Sequence, residues 1–343
     1  MTDKILTVGV PAYNAEKTLR RCLDSFLISE VMDKIQVIII NDGSKDRTSE
    51  IAHCYEEKYP NTYSVIDKEN GGHGSGINSA IEHAKGKYIK IVDSDDYVER
   101  EGLIDLIYQL EENDIDLCLS PYYEVFGDNK KMKTYYMHKK EMENRTIDIE
   151  NNECLDLRFA MHAITYRTDI LKESNYRIDE NCYYVDVEYS IYYLKDIKNI
   201  RLLSRAVYCY VIGSAEQSVN KKNMQKNIEQ HTFVCNRLVS FYKSERADFL
   251  TADILIRKNI INMIMLTEFR LILSLPNIQE SKNRYIEFEG RLREESAELY
   301  QGIILETRER RLKIGHIIYF NRLTHYRLFK CIRRILWFKL RDF

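Results

Sequence analysis

Glycine and proline are scarce, at 13 and 4 in 343 residues. That scarcity excludes a many-turned all-β protein or a Pro-rich linker array, since both need those residues at their bends. Net charge is almost absent as well: 51 Lys and Arg against 53 Asp and Glu leave −2, so no global field draws the chain to nucleic acid. The eight cysteines include no C-x-x-C pair and sit mostly among apolar neighbours. They are expected to be reduced core residues of a cytosolic protein, and neither a disulfide frame nor a zinc site. No apolar run reaches the roughly 18 residues of a membrane span. The richest, residues 260–275, is interrupted by Asn262, Glu268 and Arg270. The N-terminal apolar run is too short for a signal peptide, which predicts a chain that stays in the cytosol. What is plentiful is core material, a hydrophobic set of 44% with 25 Tyr and 12 Phe, and this excludes disorder as the main state.

The first third alternates short β-branched runs with helical patterns, as βαβ units of a mainly parallel sheet do. Strands are predicted over residues 5–10, 35–40, 63–66 and 88–92, and helices over 15–29, 47–59 and 76–84. Residues 35–40 are continuously apolar, which fits a central strand covered on both faces. A mixed, aromatic-rich region follows, with a helix near residues 187–194. Beyond Asn220 the apolar spacing is helical to the C-terminus, broken at Pro276. This predicts an α/β domain over residues 1–220. A helical region over 221–343 completes the chain.

Ligands of open α/β sheets bind beyond the carboxyl ends of the strands. Three such ends carry Pro11-Ala12-Tyr13-Asn14, Asn41-Asp42-Gly43-Ser44 and Asp93-Ser94-Asp95-Asp96. Three carboxylates in four residues repel one another unless a cation compensates, and a hard divalent metal meets that demand. An acidic helix N-terminus explains the same run. Asn41 to Ser44 also reads as an ordinary tight turn opening a helix, and Asp42 as a carboxylate able to accept a base N–H. The run Glu69-Asn70-Gly71-Gly72-His73-Gly74-Ser75-Gly76 offers backbone N–H groups to an anion, although it matches neither the dinucleotide fingerprint nor the P-loop; a surface loop is the plainer alternative. Asp186 is either a solvated helix start or a general base, according to whether the fold brings it to the same crevice.

Taken in this order, these motifs resemble the inverting nucleotide-sugar glycosyltransferases of family 2, which have the GT-A fold. The match runs from Leu6 to about Asn220, which implies a catalytic domain over residues 1–220 with the nucleotide side in 1–120 and the acceptor side in 121–220. The resemblance implies a Rossmann-like sheet flanked by helices, a nucleotide-sugar donor that is UDP-linked, and a Mn²⁺ or Mg²⁺ ion. It places Pro11, Ala12, Tyr13, Asn14, Asp42, Gly71, Gly72, Ser75, Asp93 and Ser94 on the nucleotide, Asp95 with Asp93 on the metal, and Asp186 as catalytic base. His73 and Asp96 are implied as lining of the donor and acceptor site. The family commonly has Glu-Asp where this chain has Val185-Asp186. The stretch Gly213-Ser214-Ala215-Glu216-Gln217-Ser218-Val219 is similar to a G-x-x-x-Q-S-V segment of the bacterial branch that builds capsules and other surface polysaccharides, which adds Gln217 and Ser218 to the lining. The implied acceptor is a saccharide or lipid-linked saccharide. A sugar-phosphate nucleotidyltransferase and an inactive scaffold of the same fold are the alternatives; the three retained aspartates speak against the second.

Over residues 308–343 eleven Lys and Arg face only two acidic residues, interleaved with Ile, Leu, Phe, Tyr and Trp. Such a basic amphipathic stretch suits peripheral contact with an anionic membrane on its cytosolic face. Packing on the catalytic domain or on a second copy of the chain satisfies the same pattern.

Overall fold

The computed structural model describes residues 4–126, 131–213, 221–245, 250–309, 321–327 and 329–331. The chain divides into two compact units, Met1–Ser214 and Ala215–Phe343.

The first unit opens with β1 (Leu6–Ala12), α1 (Leu19–Asp24), β2 (Ile35–Asp42), α2 (Thr48–Lys58), β3 (Tyr63–Lys68), α3 (Gly72–His83) and β4 (Tyr88–Ile91). These strands pair in parallel in the order β3-β2-β1-β4, and β1 and β2 are buried along their whole length, so their side chains are mostly apolar on both faces, without alternation. The expected parallel core is therefore present, but it is half of a mixed sheet. Beyond β4 come β5 (Tyr97–Val98), α4 (Arg100–Glu112), β6 (Leu117–Leu119), β7 (Tyr122–Phe126), β8 (Lys131–Tyr135), β9 (Thr146–Asp148), β10 (Ile164–Arg167), α5 (Thr168–Glu173), α6 (Asp186–Ile191), β11 (Asn199–Leu202) and β12 (Tyr208–Ile212). Antiparallel β10 joins β4 to β6, with β11 and β9 outside, while β5-β12-β7-β8 form a second, small sheet.

Helix α3 begins four residues before the predicted start at Gly76. Glycine's low helix propensity argued for a loop, yet packing overrides it here. A Cβ on Gly76 would lie 2.8 Å from Pro11 Cβ, and one on Gly74 would lie 2.1 Å from the Asp179 carbonyl oxygen, so only glycine lets the helix approach both. Gly74→Ala is accordingly expected to cost about 1–3 kcal/mol. Gly290→Ala, where an added Cβ meets nothing within 4 Å among the described residues, is expected instead to stabilise by about 0.5–1 kcal/mol. Denaturant midpoints of the two variants against the parent check both signs.

The second unit is helical in its described residues: α7 (Lys221–Lys226), α8 (Ile228–Ser244), α9 (Leu250–Ile260), a π-helical turn Ile261–Met265, α10 (Leu266–Ser274), α11 (Ile278–Glu295) and α12 (Ala297–Glu309). Pro276 falls in the break between α10 and α11, where Asn277 caps the new helix through the amides of Gln279 and Glu280. The core here is aromatic, Phe269 packing on Tyr285 and Phe288 at ring separations of 5.5 and 5.1 Å. Among the described residues no helix is long and apolar enough to cross a membrane. Gln217, Ser218 and most of the basic stretch 308–343 lie outside the described residues.

Candidate active site

The loops after β1 and β2 are fastened to one another. Asn14, at φ +50°, accepts the Lys45 amide on Oδ1 at 2.8 Å and gives its own N–H to Ser44 Oγ at 3.0 Å. Pro11 and Ala12 end β1 and are buried, which leaves Tyr13 standing out with 54% of its surface exposed. Tyr13 lines a cavity of about 630 Å³ with Gly43, Lys45, Asp67, Lys68, Glu69 and Asn70, beyond the carboxyl ends of β1 to β3.

Asp42 is buried, and its carboxylate is engaged within the chain. It accepts the Gly71 amide at 2.9 Å, the Gly72 amide at 2.8 Å and the Lys68 ammonium at 2.9 Å. It thereby sets the start of α3, where Gly71 is the N-cap, Gly72 takes φ +80° and Ser75 is buried.

That anchoring puts His73 in the first turn of α3, where its Nε2 meets Asp93 Oδ1 at 2.8 Å. Burial works against a charge on His73, yet Asp93, with Asp186 and Asp95 behind it, holds the imidazole above its ordinary pKa. Burial likewise works against Asp93, and the His73 contact overcomes it, so Asp93 lies below the usual carboxylate range. Asp95 is exposed at the rim, where water weakens every influence, but local crowding and the Asp93 charge still press its carboxyl upward. Ser94 is half-buried between them.

Asp96 lies underneath, 1% exposed. Its oxygens accept the Tyr208 hydroxyl at 2.6 Å and the Val211 amide at 2.7 Å, and Tyr208 Oη in turn accepts the Asp93 amide at 3.1 Å. Burial, then Asp93 and Asp95, push Asp96 well above the usual range. Strand β12 is thus tied to the acidic turn by a side chain expected only as lining.

Asp186 opens α6 more than ninety residues later in sequence, and two contacts bring it in. The Asn181 amide donates to the Gly71 carbonyl at 2.6 Å, and Asn78 brackets Ile178, giving to its carbonyl at 2.9 Å and accepting its amide at 3.0 Å. Asn181 and Tyr184 both take left-handed φ, +57° and +68°, which re-aims the chain just before the helix. Half-buried, Asp186 is raised above the usual carboxylate range by burial, with His73 opposing and Asp93 reinforcing. Asp93 therefore contacts His73, and Asp95 and Asp186 lie near enough for their charges to act on the same imidazole.

Several residues of the site carry no sequence signal. His162 follows no motif, yet its ring stacks on Tyr210 at 4.4 Å and meets the edge of Tyr208 at 4.7 Å. Among the described residues its Nδ1 is buried without a hydrogen-bond partner, and the ligating atoms of Asp93, Asp96 and His162 lie within 4.8 Å of one another. Burial brings His162 down to about 4. Beneath it Lys90, fully buried and pressed by burial to about 7, donates to the carbonyls of His162 at 2.7 Å and Ile164 at 3.1 Å. The Asp93 carboxylate is a donor that Mn²⁺ and Mg²⁺ both take, whereas a set that includes an imidazole suits Mn²⁺ better than the oxygen-seeking Mg²⁺.

Glu188, one turn into α6, is fully buried and accepts the Asp179 amide at 2.9 Å. Burial and the Asp179 carboxylate raise it from an ordinary 4.5 to about 8. The folded chain therefore holds a proton that the unfolded chain has lost between those values, so this contribution is complete below about 4.5 and lost by about 8. Glu188→Gln is expected to gain stability relative to the parent as pH rises through that window. Urea titrations at several pH values check it, and parallel stability curves contradict it.

Residues 7–174 match the family model described as Glycosyl transferase family 2. Among curated proteins the chain is 29% identical over 213 residues to the glycosyltransferase EpsJ of Bacillus subtilis, covering 60% of each. It is 26% identical over 321 residues to the minor teichoic acid biosynthesis protein GgaB of the same organism, covering 88% of this chain and 33% of GgaB. The chain thus spans less than two thirds of these relatives' length. Among solved structures, residues 1–349 of S. aureus TarS in complex with UDP superpose with a TM-score of 0.67 at 18% identity, covering 94% of this chain and 92% of that one. The shared GT-A-like α/β architecture with a helical C-terminal region follows from that superposition.

Proposed function

Residues 7–174 belong to Glycosyl transferase family 2, and on that premise we propose that the protein is an inverting, metal-dependent glycosyltransferase that takes a sugar from a UDP-linked donor. The observation that carries this reading is the His73–Asp93 contact, with Asp95 and Asp186 near enough to act on the same imidazole, together with a cavity fronted by Tyr13 beyond the neighbouring strand ends. The cavity offers an aromatic face with Asp67, Glu69 and Asn70 for a nucleoside, and Lys45 and Lys68 for its charge. Asp93 and Asp95 would hold the ion; of the two, Asp93 is the one whose ligating atom clusters with those of Asp96 and His162. When bound, that ion supplies Lewis-acid neutralisation of the leaving diphosphate.

Asp186 accepts the proton of the acceptor hydroxyl while that oxygen bonds to the anomeric carbon from the face opposite the phosphate. The anomeric carbon–oxygen bond breaks, its electron pair leaves with the nucleoside diphosphate, and configuration inverts. A pKa raised by burial makes Asp186 a stronger base than a surface carboxylate, provided that it is ionised at working pH. His73 keeps Asp93 charged, and Asp96 with Tyr208 holds the acidic turn in place. For the acceptor we propose a saccharide or lipid-linked saccharide of a bacterial surface polymer, a reading supported by the teichoic acid role in the name of GgaB. The basic stretch 308–343 supports delivery of such an acceptor at an anionic membrane surface.

A thermal-shift panel of nucleotide sugars with Mn²⁺ tests the donor, because a ligand bound by the native state raises the melting temperature. A rise with UDP-sugars, followed by acceptor-dependent release of UDP, is the expected result. No shift with any nucleotide sugar, metal present, overturns it.

A further inference from the structure

The second unit buries a set of polar side chains that sugar transfer does not use. Helix α8 carries His231 and Cys235 four residues apart, hence on one face, and α10 turns Glu268 toward them. All three are buried, Glu268 completely. His231 Nδ1 stands 2.5 Å from Glu268 Oε2 and 3.8 Å from Cys235 Sγ, and Thr232 gives its hydroxyl proton to Glu268 Oε1 at 2.5 Å. Nitrogen, sulfur and carboxylate oxygen lie within 4.8 Å of one another. Among the described residues no Lys or Arg pairs with Glu268, so a carboxylate without water has only an imidazole and a hydroxyl to compensate it. The π-helical turn Ile261–Met265 immediately precedes α10 and shifts the facing of every residue after it. Such insertions recur at functional sites.

We propose that His231, Cys235 and Glu268 form a zinc site that pins α8 to α10. Imidazole, thiolate and carboxylate are the donors zinc takes, and its bond lengths set tetrahedral ligands about 3.3–3.7 Å apart. The His231–Cys235 separation is already close to that, while His231 and Glu268 part by roughly an ångström to admit the ion. Zinc displaces the proton between His231 and Glu268 and the thiol proton of Cys235, both of which leave to solvent. Thr232 keeps the second carboxylate oxygen oriented. A water completes the four ligands. Spacing rules that look for paired cysteines pass over such a set, since its third ligand comes from another helix. The inference is independent of the sugar-transfer reading.

The test uses the full chain, purified from zinc-supplemented culture and dialysed. Elemental analysis is expected to find about one zinc per chain in the parent and in Asp95→Ala, and at least a tenfold lower content in Cys235→Ser and His231→Gln. Cobalt substituted for zinc is expected to give a thiolate charge-transfer band that Cys235→Ser lacks. Cys235→Ser changes one atom, so it keeps the test decisive if His231→Gln does not fold. Folded parent protein with no zinc and no cobalt band, or equal zinc in parent and Cys235→Ser, overturns the site and leaves a metal-free His–Glu–Thr hydrogen-bond cluster.

Discussion

Asp186→Asn is expected to lower turnover by about 10²–10⁴-fold, the range a positioned general base contributes, while donor affinity stays within a few-fold. Asparagine keeps the shape at the start of α6 while removing the charge and, with it, the ability to take a proton. The backbone contact there survives, because Ser190 Oγ donates to the carbonyl of residue 186 and not to its side chain. In the parent, activity is expected to rise with pH through a titration above the ordinary carboxylate range, since burial raises Asp186 and the base must be ionised to act. Steady-state kinetics paired with donor calorimetry separates the two quantities. Intact turnover with lost donor binding would falsify the assignment and move Asp186 to the donor side.

Asp95→Ala is expected to have the largest effect on binding, removing the metal-dependent part of donor affinity, about 10²-fold on the scale of the several kcal/mol an ion supplies to phosphoryl oxygens. The reason lies in the different states of the two neighbours. His73 holds Asp93 charged, whereas burial and the Asp93 charge press Asp95 upward and the more distant Arg21 and His73 only partly offset them. A cation relieves that repulsion and a proton competes with it. Metal-dependent affinity in the parent is therefore expected to weaken as pH falls into the raised range of Asp95, and the variant is expected to lose this dependence. Titration calorimetry with and without Mn²⁺, at neutral and mildly acidic pH, reads both. A variant whose donor affinity still responds to Mn²⁺ as the parent does removes Asp95 from the ion.

Much of the first unit was legible in the chain itself. β-branched runs marked β1 to β4, and polar residues at their ends marked the loops that line the crevice. Helix limits were less legible: the run of glycines before Gly76 reads as a loop until Pro11 and the Asp179 carbonyl are seen against it. The cysteines show the same division. Their spacing gave no sign of a zinc site, and only the packing of α8 on α10 sets Cys235 beside His231 and Glu268.

By itself the sequence determined which residues could do chemistry and on which strand ends they stand, because turn chemistry and hydrophobic period are written over a few neighbouring positions. Only the tertiary structure decided that His73 pairs with Asp93, that Asp96 is buried beneath the acidic turn, that His162 clusters with both aspartates, and that Asp186 lies within electrostatic reach of His73 and Asp93. Charge state depends on desolvation and on partners brought from distant segments. Those are sums over the folded neighbourhood, and no local stretch of sequence contains them.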